Sequence, residues 1–285
     1  MVLLEGGDIA KAVLKAKGEE IILTGGRYAG GTVYNHPYPV KISAVGFAII
    51  VGGKGLKFEG CKTVELGGFS VQEAAPHGIM IVRCGAFQAS RLTILKSAKN
   101  NLLTANTSNV SLTLLVCDHA VEGHGIYLSQ SGDNLEIWEC ISRYNARSGI
   151  QINGRQDGRN RALDQDGISR NVTISGNVLI GNQTRYGAAA ITLAACRDLS
   201  ILNNRIEEHE GRHGIACWAD GTGKQELACQ SVLIDGNSFN FAADSHPEAC
   251  VSIRESCLDI HIGKSNRFPN SVTKLVTDTK SKIIR

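Results

Sequence analysis

Long apolar runs are missing from this chain of 285 residues. No stretch reaches the roughly 18 apolar residues that a membrane-spanning helix requires, so no membrane partner is expected. Aromatic residues make up only 5%, and they do not alternate with basic ones, which argues against stacking on nucleic-acid bases. Thirty basic and 27 acidic residues leave a net charge of +3, too balanced for a nucleic-acid footprint. The opening MVLLEGGD has neither a basic segment nor a long apolar one, so no secretory signal is expected in it. Nine cysteines form no CxxC pair, which excludes zinc-ribbon and thioredoxin-type sites. Proline is confined to positions 37, 39, 76, 247 and 269.

Glycine, by contrast, is plentiful at 32 residues, and 42% of the chain is hydrophobic. That balance suits many short elements joined by tight turns around a real core, and it disfavours long helices. Internal repetition decides the architecture. One segment recurs as NVSLTLLV from Asn109, NLEIWECI from Asn134, NVTISGNV from Asn171, DLSILNNR from Asp198, SVLIDGNS from Ser231 and CLDIHIGK from Cys257. Six residues on from four of these starts stand Cys140, Asn177, Asn204 and Asn237, a column whose amides can bond one another at a coil corner. A second segment recurs as HGIMIV, HGIYLS, SGIQIN, AAITLA and HGIACW. Apolar residues alternate within both, so both are strands, and copies this close together must stack in parallel.

The expectation is an all-β, single-stranded, right-handed parallel β-helix of roughly ten coils spanning residues 1–285 as one domain. Asp8 is placed to cap an amphipathic helix over 8–17, with Ile9, Val13 and Ala16 on one face, closing the open end of the solenoid. Cys61 and Cys84, like Cys117 and Cys140, are 23 residues apart, close to one coil. Buried free thiols stacked between coils are the expectation, with disulfides as the lesser alternative. Trp138, inside IWECI, is expected in the core. Asn106, Asn109, Asn171 and Asn182 begin N-x-S/T sequons, which Asn at coil turns explains without glycosylation.

The capping segment followed by AVLKAKGEEIILTGGRYAG and by NVTISGN-type coils resembles the pectate-lyase-like right-handed β-helix superfamily over nearly the whole chain. That resemblance implies a polysaccharide or oligosaccharide partner, with lyase, hydrolase or epimerase activity. It equally admits a non-catalytic tailspike-like or adhesion protein, and it implies an extracellular, cell-surface or virion-associated location and allows oligomers. EGHGI around His124 is similar to the GHG motif of the polygalacturonase-type hydrolases, and LDQDGIS around Asp166 to their aspartate segment. The order is reversed here, no paired-Asp motif precedes GHG and no RIK segment follows, so a faithful polygalacturonase is not expected.

Interrupted coils usually build the working face of a solenoid. Insertions at 154–169 and 219–230 follow the same recurring strand and are expected to leave one edge. The first carries Asp157, Asp164 and Asp166 among Arg155, Arg159, Arg161 and Arg170. Carboxylates with Asn153 or Asn160 can hold calcium, although the spacing is not that of an EF-hand. Arginines can neutralise a uronate, so Arg155, Arg161 and Arg143 are candidate substrate contacts, with Arg147 nearby. A β-elimination needs a base and a cation for the developing enolate. Asp164, Asp166, His124, His213 and Arg170 are the candidate catalytic residues, and Trp218 the candidate sugar-stacking one. His77 shares the repeat position of the two histidines. Asp118 with His119, and Glu208, His209 and Glu210, are expected in turns where they can assist.

Overall fold

The computed structural model describes residues 1–154, 167–183, 189–219, 227–254 and 256–284. It is an all-β parallel solenoid of about 11 turns with one helix near its start. Three sheets run its length: sheet 1 with 12 strands, sheet 2 with nine and sheet 3 with ten, visited in that order within each coil. The named strand pairs are parallel, and they keep register, as in Phe87 beside Val110 and Val110 beside Leu135, apart from a shift between Ile206 and His209. Inward positions stack like on like: Leu66, Ala89, Leu112, Ile137 and Ile174 form one such column, every member buried. No strand contains a proline, as the ladder demands.

The helix, Ile9–Ala16, takes its cap from Asp8, whose Oδ1 accepts the Lys11 amide at 3.0 Å. Ile9, Ala12, Val13 and Ala16 are buried against the first coils, so the helix closes the core as its periodicity predicts. Between sheets 1 and 2 the chain turns on the expected column. The Asn177 amide donates to Asn204, Asn204 to Asn237, and Asn237 to Asn266, which extends the column by one coil. A second column, at the turn into sheet 3, joins Asn101, Asn145 and Asn182. A third, on the exposed corner before sheet 1, joins Asn109, Asn134 and Asn171 in left-handed backbone. Asn106, Asn109 and Asn182 thus lie in turns, Asn171 lies near the start of a strand, and Asn182 is buried.

All nine cysteines are free and buried. Cys61 and Cys84 do stack, but Cys117 and Cys140 do not share a column. The coil between them is longer, and Cys117 pairs with Ser142. Trp138 also departs from expectation. Leu135 and Ile137 take the inward positions of its strand, which turns Trp138 outward and leaves it 54% exposed.

Candidate functional site

Sheet 3 carries the features that a ligand site requires. Its outward positions stack in two rows, Tyr127, Gln151, Thr192, Ala216 and Ser252 in one, Ser129, Asn153, Ala194 and Trp218 in the other. Asn153, Thr192, Ala216 and Ser252 are buried although they point away from the core, so this stretch of the face is recessed. The Asn153 amide holds the rows together, donating to the Tyr127 hydroxyl at 3.4 Å while accepting from Gln151 at 3.0 Å. The connections over 154–168 and 219–229 both run from sheet 3 to sheet 1.

The three HGI histidines stand at one register position at the entrance to sheet 3, His213 as the first residue of its strand. Their glycines answer to packing: a Cβ on Gly125 would lie 2.0 Å from Ser142 Oγ, and one on Gly214 2.5 Å from Phe239. His77 Nδ1 accepts the Asn100 amide at 3.3 Å, and Asn100 Oδ1 accepts the His124 amide at 2.8 Å, one continuous link over three coils. His124 packs its ring 5.0 Å from that of Tyr127 and lines a cavity of about 300 Å³ with Lys99, Glu122 and Arg147. Burial, then the Arg147 charge, lowers its pKa to about 3.

His213 has the richer surroundings. Its Nε2 stands 3.5 Å from Glu248 Oε2, and Glu248 is gripped by Arg212 and, at 3.3 Å, by Arg254. The ring meets the outward Trp218 edge-on at 6.5 Å. Burial, followed by Arg254 and Arg212, lowers the His213 pKa to about 4, so at neutral pH it is an uncharged imidazole beside two guanidinium groups and one carboxylate. His213 Nδ1, Trp218 Nε1 and Ser252 Oγ are buried without a hydrogen-bond partner, and they lie on two neighbouring strands. His124 Nδ1, two coils before the strand of Ala189, is in the same condition. Buried polar groups are ordinarily paired, so a cluster of orphans on one face points to a ligand.

The remaining expected residues fall elsewhere. Asp157, Arg159, Asn160, Asp164, Asp166, Arg155 and Arg161 lie outside the described residues. Arg170 is the second residue of the sheet 1 strand Ser169–Ser175, in register with Arg197 and 3.8 Å from Asp133. Arg143 points out from sheet 2, where it binds Asp118 at 2.9 Å, so it is on another face from Trp218. Asp118 closes a strand rather than sitting in a turn, and His119 pairs with it. His209 likewise ends a strand, buried against Phe241, with Glu208 and Glu210 exposed beside it. Among the described residues no cluster of His, Cys, Asp and Glu has the geometry to hold a metal ion. Sequence reading missed Arg212, Glu248, Ser252 and Arg254. Their approach to His213 depends on which coil follows which, and only the alternation in ACVSI hinted that Ser252 faces outward.

No protein-family model matches the chain, and no curated protein matches it. Solved structures do. An alginate lyase from Paenibacillus sp. FPU-7 superposes with a TM-score of 0.65 at 14% identity, over 98% of each chain. A periplasmic alginate epimerase gives 0.57 at 11% identity, covering 100% of this chain and 71% of its own. The shared fold is the parallel β-helix. A surface adhesin of Streptococcus pneumoniae shares that β-helix, with a TM-score of 0.55, 10% identity and coverage of 96% and 78%. Identities this low establish the β-helix and leave its chemistry to the site itself.

Proposed function

We propose that the recessed face of sheet 3 binds an anionic, uronate-containing polysaccharide and removes the proton α to a uronate carboxyl. The observation that carries this reading is the group formed by His213, Arg212, Arg254 and Glu248 beside the unpartnered Trp218 Nε1 and Ser252 Oγ. Two guanidinium groups against one carboxylate leave a net positive charge for a uronate carboxylate. Neutral His213 holds a lone pair for the sugar's C5 proton. As C5–H breaks, the electrons move into the carboxyl group, where the arginines stabilise the enolate. Expulsion of the 4-linked sugar with formation of a C4–C5 double bond makes the reaction an elimination. Return of a proton to the opposite face of C5 makes it an epimerisation.

Trp218 supplies an apolar edge for the sugar ring, and His124, with Lys99 and Arg147, extends the positive surface along the solenoid. Asp164, Asp166, Arg155 and Arg161, which follow the sheet 3 strand Ile150–Asn153 in sequence, are proposed as further contacts to substrate. The alginate lyase and the alginate epimerase of the same fold support a carbohydrate partner, and the periplasmic and surface-borne members support a location outside the cytoplasm. Among the described residues no helix is long and apolar enough to cross a membrane.

The test is a panel of alginate, polymannuronate, polyguluronate and polygalacturonate. Unsaturated product is followed by ultraviolet absorbance, and C5 exchange by proton NMR in deuterated water. Wild type is expected to act on at least one polymer, and His213→Gln to lose that activity while still binding it. Binding without elimination or exchange would assign the face to adhesion. Absence of both binding and turnover would sink the proposal.

A further inference from the structure

Another cavity stands apart from sheet 3. It lies on the outer face of sheet 1 over the early coils, with a volume of about 780 Å³. Two outward rows line it as far as Ser111 and Thr113, and both run on for one coil past it. Lys41, Glu65, Gln88, Ser111 and Glu136 follow one another in register, and beside them run Ser43, Gly67, Ser90, Thr113 and Trp138. Trp138 is four coils beyond Ser43, about 19 Å at the strand spacing of a sheet. The floor is lowest at Gly67, where a Cβ would meet only Ser90, at 3.4 Å. At the far end the indole leans on the next turn, 3.6 Å from where a Cβ on Gly176 would be. This packing holds the indole in place while leaving it 54% exposed.

We infer that this groove is a second carbohydrate site, which takes an extended, unbranched neutral glycan along the solenoid axis, with one sugar ring stacked on Trp138. Hydroxyl and amide side chains repeating at each coil match a ligand that offers hydroxyls at regular intervals, and an exposed aromatic platform matches the apolar face of a pyranose. Charge separates this groove from sheet 3. Lys41 is engaged by Glu65 at 3.2 Å, so among the lining residues two acids, Glu20 and Glu65, balance two cations, Lys41 and Arg91. A lining with no excess of positive charge gives a uronate no anchor and suits a neutral sugar. The inference does not depend on the chemistry proposed for sheet 3.

The chain has two tryptophans, one on each face, so each site has its own reporter. In Trp218→Phe only Trp138 emits. Cellohexaose, xylohexaose and mannohexaose are titrated against it, with oligomannuronate as the anionic control. At least one neutral hexasaccharide is expected to change Trp138 emission saturably, with no effect from oligomannuronate. Gly67 does not have positive φ, so Gly67→Leu can fill the floor without backbone strain, and it is expected to weaken binding about tenfold or more. Unchanged emission with all three neutral sugars would overturn the inference, as would a response only to oligomannuronate or one indifferent to Gly67→Leu. The sheet 3 proposal is read separately in Trp138→Phe, where Trp218 alone reports.

Discussion

Asn177 donates its side-chain amide to Asn204 Oδ1 at 2.9 Å, and one coil on Asn204 does the same to Asn237 at 3.0 Å. Each amide also donates to a strand carbonyl, Ile137 for Asn177 and Ile174 for Asn204, and each Oδ1 accepts the backbone amide of the preceding coil's turn. Removing one member therefore strands a buried N–H and a buried carbonyl together. At roughly 1–3 kcal/mol for each orphaned group, Asn177→Ala and Asn204→Ala are expected to cost about 3 kcal/mol or more. Asn266→Ala, at the end of the column and less deeply buried, should cost less. Urea unfolding midpoints with unchanged slopes would check the order. Equal losses at all three positions would mean that the column does not act as a ladder.

The glycine in the HGI segment permits a complementary prediction. A methyl group at Gly125 would collide with Ser142 Oγ and, at 2.8 Å, with the carbonyl of Gly149. Gly125→Ala should destabilise by about 1–3 kcal/mol through overpacking. Serine 142→Ala in the same chain should return part of the loss, because it removes the closest atom. If Gly125→Ala left the melting temperature unchanged while abolishing activity, the motif would be catalytic rather than structural.

These two features also mark what was legible from residue order. Asn177, Asn204 and Asn237 recur at one offset within similar segments, so the column and the parallel stacking are written in the repeat. The helix is equally plain, because Asp8 precedes an apolar face at helical spacing. Trp138 was misplaced because IWECI is apolar enough to suggest a core strand, whereas period two in LEIW turns alternate residues outward. Cys117 and Cys140 were misaligned because their 23-residue spacing equals that of the early coils, and the coil lengthens there. The site was the least legible part. Glu248 reaches His213 from the next coil, and the number of residues between them is set by a connection of irregular length.

The thiols should be silent in the native protein. Burial pushes Cys140 and Cys250 up to about 12 and Cys117 well above the ordinary thiol value, and a hydrogen bond with Cys229, followed by burial, does the same for Cys217. Cys61 differs: a hydrogen bond from the Cys84 thiol leads the effects that bring it down to about 7. A charged thiol reagent needs both access and thiolate. Native protein should therefore remain unlabelled over minutes, and under mild denaturant Cys61 should be modified before Cys140 or Cys217. Mass spectrometry of pulse-labelled peptides would give the order. Fast labelling of several thiols without denaturant would show that the coils open far more readily than their packing implies.

The buried histidines make stability fall on the acid side. His209 is 1% exposed with neither ring nitrogen paired, and burial holds its pKa at about 4. Above about pH 6.5 it is neutral in both folded and unfolded chains, so it contributes nothing to the pH dependence there. Between about 6.5 and 4 the unfolded chain takes up a proton that the folded one refuses, and stability drops as pH falls, levelling below 4. The gap amounts to roughly 3 kcal/mol for this one side chain at about 1.4 kcal/mol per pKa unit. His124 and His213, lowered to about 3 and 4, act in the same sense. Comparing denaturant unfolding at pH 7 and pH 4.5, His209→Leu should lose less stability than wild type by about 2 kcal/mol or more. Its phenylalanine neighbour, Phe241, offers the new side chain an apolar contact. Parallel pH profiles for the two proteins would mean that His209 gains a proton partner in solution, and the neutral, unpaired state assigned to it would have to be abandoned.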